Sequence, residues 1–215
     1  MMRGTMAMIA GLLALAGAEA LAAGGNDAAV KNAEEIVRKS FVDATPDEWN
    51  TRLKQDQTQA ACSYYRNEPP PDMAVRIVSE AQASIRYPAD GKLLGNWKEG
   101  AQLAAVSTGG HIGKIQPDPP DRPRGGNCYA CHALAPQEVA AGNLGPSLTH
   151  YLKLRGNSAG TVKAVYDKIY NAQAQYPCSL MPRFGHNGWL TPEQVADLVA
   201  FLLDAESPVN KGGDR

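Results

Sequence analysis

The 215-residue sequence predicts an all-α protein. Three observations carry that expectation. Apolar residues recur at three- and four-residue spacing in segment after segment. No stretch alternates apolar and polar residues as a half-buried strand would. Prolines and cap-forming residues stand at the segment ends.

The elements follow in chain order. Residues 26–44 place Val30, Ala33, Ile36, Val37 and Phe41 on one stripe, which predicts a first helix. Pro46 and Asp47 open a second, running through Trp49, Leu53 and Ala60 towards Tyr64. The prolines at 69–71 stop it, because proline lacks the amide donor and restricts the residue before it. A third helix covers about 72–85 with Met73, Val75, Ile77, Val78 and Ala81, and Tyr87-Pro88 ends it. A short helix at 96–106 holds Trp97, Ala101, Leu103 and Ala104. The proline- and glycine-rich stretch 116–126 reads as loop, and Gly145-Pro146-Ser147-Leu148 as a turn. Residues 161–173 form another helix with Val162, Val165, Tyr166, Ile169 and Tyr170. The last is marked most clearly: Thr191 caps it, Pro192 fills the first turn and Gln194 completes a capping box. Val195, Leu198, Val199 and Leu202 then give it one apolar face.

Twenty-one basic residues stand against 22 acidic ones, for a formal net charge of −1. That balance offers no basic excess for nucleic acid and no acidic solvating tail. The N-terminus says more. Arg3 precedes a short apolar run from Met6 to Ala16, and small residues follow at cleavage-type spacing, as in Ala18-Glu19-Ala20. This is the pattern of a secretory leader, and the run is shorter than the roughly 20 residues a membrane span needs. The expected organisation is a leader at 1–22, cut between about 18 and 23. A helical extension at 23–92 follows, suited to partner docking. A cofactor domain occupies 93–210, with a tail at 211–215. The expected location is the periplasm, with no membrane span.

Four cysteines are present: Cys62, Cys128, Cys131 and Cys178. Cys128-Tyr129-Ala130-Cys131-His132 has the spacing of covalent c-type haem attachment. Two thiols separated by two residues can both meet the porphyrin vinyl groups from a single turn, and the adjacent imidazole faces the iron. A thioredoxin-like dithiol would need a βαβ setting, and a zinc site a second ligand pair at metal spacing. A disulfide between Cys128 and Cys131 would leave His132 without a task. The expectation is therefore a class I cytochrome c-type domain with one covalently bound haem c.

Beyond the leader only Met73 and Met181 remain as methionines. Met73 lies on a helical stripe and suits core packing. Met181, in Met181-Pro182-Arg183-Phe184-Gly185, stands where small monohaem cytochromes place a distal thioether, which raises the reduction potential relative to a second imidazole. His111, His150 and His186 are rivals for that position, His186 foremost. In class I domains a proline carbonyl after a glycine accepts the proximal imidazole's other N–H, which gives Pro146 a supporting role beyond its turn. Cys62 and Cys178 are left over. In an oxidising compartment they suit a bridge to each other, with a bond to a partner chain or two free thiols as the alternatives.

Taken together, Gly126 to His132, Gly145 to Leu148, Met181 to Gly185 and Leu203 to Asn210 resemble SoxX, the smaller cytochrome subunit of the SoxAX complexes of bacterial sulfur oxidation. The likeness spans roughly 93–210, and the extension places the chain with an N-terminally extended subgroup. The resemblance implies a heterodimer with a larger SoxA-like cytochrome, acting as an L-cysteine S-thiosulfotransferase that couples thiosulfate oxidatively to a cysteine of a SoxYZ-like carrier. It assigns no catalytic residue to this chain. Cys128 and Cys131 would anchor the haem, His132 and Met181 ligate its iron, and electrons would leave to a small cytochrome c. A free-standing periplasmic carrier is the alternative. A haem enzyme or gas sensor with an open sixth position is a third reading.

Overall fold

A computed structural model describes residues 16–107 and 124–212, with side chains from residue 28 onward. Among these residues there are helices, turns and loops, and no strand. The predicted leader and His111 lie wholly or largely outside them.

The first helix, α1, spans Ala16–Ser40, so it begins earlier than the apolar stripe suggested and stops before Phe41. The expected single helix over 46–64 is corrected to two pieces. Thr45 and Glu48 form a capping box on α2, Pro46–Glu48, which widens into one π turn at Trp49–Leu53. Lys54 is extended. Asp56 then starts α3, Gln57–Tyr64, because its carboxylate accepts from the Gln59 amide while the Gln59 side chain accepts from the Asp56 N–H. A second reciprocal cap within one apolar stripe ends one helix and begins another.

The expected stop at the triple proline is corrected: α3 ends at Tyr64, where Arg66 and Asn67 turn left-handed ahead of the prolines, and Pro71 supplies the first turn of α4, Pro71–Ala83. Helix α5, Trp97–Ala105, lies within the expected 96–106 and is capped by Asn96. A short α6, Tyr151–Arg155, has no counterpart in the predicted elements. Helix α7, Ala159–Tyr170, is capped by Ser158 and ends sooner than expected. Asn171 turns extended there and caps a single 3-10 turn, Ala172–Ala174. Helix α8, Pro192–Leu203, carries the full Thr191–Gln194 capping box.

Helix α8 is the centre of the molecule. Val195, Leu198, Val199, Phe201, Leu202 and Leu203 are buried against Tyr166 and Ile169 of α7 and Ala104 of α5. Helix α5 crosses α8 in backbone contact: a β-carbon added at Gly100 would lie 2.1 Å from the Asp197 carbonyl oxygen. Asn96 donates its N–H to the Asp197 carboxylate at 2.7 Å, and Gly95 to the Ala196 carbonyl at 3.0 Å. The exit from α4 is fastened to this core. Tyr166, fully buried, donates its hydroxyl to the Arg86 carbonyl at 2.7 Å, and Asn171 donates to Ser84 Oγ at 3.0 Å. A separate small apolar cluster joins Cys62, Ile77 and Cys178.

Candidate cofactor site

The Cys-x-x-Cys-His motif folds as a tight turn. Asn127 enters it in the left-handed conformation, φ 45°, and Cys128–Ala130 form one 3-10 turn. The N–H groups of Cys131 and His132 both donate to the Cys128 carbonyl, at 3.1 and 2.9 Å. The chain then returns alongside. Gly142 donates to Tyr129, Gly145 to Cys131 and Leu148 to Ala133, at 2.8, 2.9 and 2.8 Å. This strapping places the Pro146 carbonyl oxygen 2.7 Å from His132 Nδ1. A carbonyl can only accept, so Nδ1 carries the proton and Nε2 keeps its lone pair for a metal.

No space is spare here. A β-carbon at Gly145 would meet His132 Cε1 at 2.2 Å, and one at Gly142 would meet the Ala130 carbonyl oxygen at 1.8 Å. Cys128 and Cys131 are half-buried and free of any disulfide. Burial pushes the Cys128 thiol up to about 11, the neighbouring Cys131 adding to it. A reactive dithiol has the opposite shift, towards thiolate. Among the described residues no group of three or more His, Cys, Asp and Glu is arranged to hold a metal ion.

Met181 is half-buried and packs on the same apolar core as Cys128, Tyr129, Leu148 and Trp189. Its segment is pinned to the residues just before the motif. Trp189 donates its indole N–H to the Gly125 carbonyl at 2.8 Å, and a β-carbon at Gly126 would touch the Phe184 ring at 3.7 Å. Met181 donates its own N–H to Ser179 Oγ at 3.3 Å. Of the rival histidines, His150 is half-buried ahead of α6 with φ 55°, its N–H on the Val209 carbonyl. His186 is exposed, its N–H on Tyr170.

Cys62 and Cys178 are joined by a disulfide, S–S 2.12 Å, that links α3 to the Met181 segment. Sequence reasoning missed the second link. Arg183 is 7% exposed, and its guanidinium donates to the Asp56 carboxylate at 2.6 Å. Partial burial alone would raise the Asp56 carboxyl. The Gln59 amide and Arg183 outweigh it and hold the group below its usual value. The pairing spans 127 positions, and only the capping pattern at Asp56 and Gln59 was there to be read.

The profile of the family described as "Cytochrome c" matches residues 125–206. A protein of Aquifex aeolicus (strain VF5), named as an uncharacterized lipoprotein, is 43% identical over 158 residues, 73% of each chain. That match is longer than everything from Gly125 onward, so the likeness extends into the helices before the matched domain. The residues present fit the group that goes with this family, haem c. Two free thiols and a pre-oriented imidazole stand beside an apolar core. No helix among the described residues is long and apolar enough to cross a membrane.

Proposed function

We propose that this chain, which carries a cytochrome c domain at 125–206, is the electron-transfer subunit of a SoxAX-like thiosulfate-oxidising complex in the periplasm. One observation carries the electron-transfer reading: the hydrogen bond from His132 Nδ1 to the Pro146 carbonyl, beside two free thiols in an apolar setting. Haem iron, when bound, supplies a one-electron couple whose potential follows its axial ligands and burial.

The chain's own residues divide the remaining work. Cys128 and Cys131 would hold the group covalently. His132 is fixed in one tautomer and orientation by Pro146 and would ligate the iron. Met181 would supply a soft thioether to the same iron. Leu134, Tyr170 and Phe184 belong to the buried apolar core against which Cys128 and Met181 pack. Nothing here has to move for an electron to pass, which suits a carrier.

Several features support the finer reading. The four segments that resemble SoxX lie at the motif, the Pro146 turn, the Met181 loop and the end of the domain. The preceding helices are covalently fastened to the domain. Ile36 of α1 and Val42 in the turn after it are 55% and 76% exposed, apolar surface suited to a larger haem subunit. The Aquifex relative's designation as a lipoprotein supports export, as does the leader pattern. On this reading the thiosulfotransferase chemistry belongs to the partner, with electrons passing through this chain to a small cytochrome c.

Two measurements test it. Met181→Ala in the matured holoprotein should abolish the red-edge absorption band of methionine-ligated ferric haem and lower the potential; an unchanged spectrum rejects Met181 as ligand. Native purification should bring down a larger haem subunit whose complex reduces this chain's haem on addition of thiosulfate. Purification as a single haem protein with no response to thiosulfate would favour the free-standing carrier.

A further inference from the structure

The Met181 loop is gripped on both sides by one short helix of the N-terminal extension. Cys178, three residues before Met181, is bonded to Cys62 on α3. Arg183, two residues after it, is paired with Asp56, the cap of that same helix. Three features make these two ties decisive. Apolar packing at the junction is thin: Cys62, Ile77 and Cys178 with Ala61 and Met73 alongside. A cleft of about 360 Å³ opens there, bordered by Gln59, Ser63, Asn67, Gln173 and Ser179. Cys178 itself sits at φ 58°, a left-handed conformation that is unfavourable for a non-glycine residue and lasts only where the surroundings impose it.

We propose that α3 is the positioning element for Met181, with the Cys62–Cys178 bridge and the Asp56–Arg183 ion pair holding its loop in the conformation that presents the thioether. This rests on Met181 being the iron's second ligand. The ion pair is an effective tie because Arg183 is buried: without Asp56 a guanidinium would be left charged and unpaired, and the loop would relax to solvate it. The bridge acts differently. It removes the freedom of the loop to drift from α3, at the residue whose backbone is least content to stay.

Loop opening can be read directly, because an external imidazole binds the ferric iron only when the methionine has let go. The experiment is an imidazole titration of the full-length ferric holoprotein, followed by absorbance. Asp56→Asn should bind imidazole about tenfold more tightly than the parent, the scale of one buried charged contact. The double variant Cys62→Ser/Cys178→Ser should do at least as much, and both should weaken the red-edge band and lower the potential. Asp56→Glu, which keeps the carboxylate, should stay near the parent. If the double variant does not accumulate, reducing the parent's bridge under native conditions gives the same comparison. Titrations of Asp56→Asn and the bridge-free protein within twofold of the parent would overturn the proposal. Met181→Ala separates the two layers. Loss of its band with unchanged Asp56→Asn removes only the positioning role, whereas a persisting band removes the ligand assignment and this inference together.

Discussion

At the scale of single residues the site is set by what is missing as much as by what is present. Gly145 faces the His132 ring so closely that a methyl group would sit 2.2 Å from Cε1. The imidazole cannot yield, because its Nδ1 is tied to Pro146 and its Nε2 has to meet the iron. Gly145→Ala should therefore reduce the yield of haem-loaded protein by about tenfold, the usual scale for disturbing a ligand's support, with the polypeptide still expressed. Haem absorbance per mole of protein checks this, and full loading would contradict it. Asp56 makes a second prediction at this scale. Its carboxyl is held below the ordinary value in the folded protein, so its stabilising contribution is complete above the unfolded value of about 4 and is lost as pH falls through the lower folded value. The parent's melting temperature should exceed that of Asp56→Asn at neutral pH, and the gap should close on acidification below about pH 4. High salt should narrow the gap as well, since the carboxylate is partly exposed. A gap independent of pH would show that the carboxylate's charge does not matter.

At the scale of elements the fold depends on one crossing. Helix α5 can reach α8 only where it carries no side chain, at Gly100. Gly100→Ala would drive a methyl into the backbone of Asp197, at a cost of about 3 kcal/mol, or roughly 10 °C in melting temperature for a chain of this size. Thermal unfolding of the holoprotein measures it; a shift of a degree or two would mean the helices slide apart freely. The same scale shows how far the elements were legible. Helix α8 could be read in full, because Thr191, Pro192 and Gln194 are local signals and each acts within one turn. Helices α5 and α7 were legible apart from their ends. The split between α2 and α3 was not read, although the cap at Asp56 is also local, because a continuous apolar stripe across 49–60 outweighed it. Helix α6 was missed because no apolar period marks five residues that begin after a left-handed His150. For the site, motif spacing pointed to Cys128, Cys131 and His132, whereas the Asp56–Arg183 pair depends on how distant segments pack and leaves no trace in spacing.

At the scale of the whole molecule the extension has two attachments of different kinds. Helix α4 and its exit are held by many separate contacts: Gln82 on the Ala174 carbonyl, Asn171 on Ser84, and Tyr166 on Arg86 with Tyr87 packed against its ring. Helix α3, with α1 and α2 before it, has fewer among the described residues: the Cys62–Cys178 bridge, the Asp56–Arg183 pair, the Arg52 guanidinium over the Trp189 ring and a small apolar cluster. The bridge joins positions 116 apart, so reducing it restores a large share of the unfolded chain's freedom. In the chain-entropy account that is worth about 5 kcal/mol of stability. The loss should not fall evenly. Reduction should speed amide hydrogen exchange and proteolysis across 41–64 first, while α4, α7 and α8 keep the protection of the α8 core. Exchange measured by mass spectrometry before and after reduction, with the haem in place, distinguishes the outcomes. Local release centred on α2 and α3 is expected. A uniform rise over the chain would mean that the extension and domain unfold as one cooperative unit, and no change at all would mean that apolar packing holds α3 without the bond.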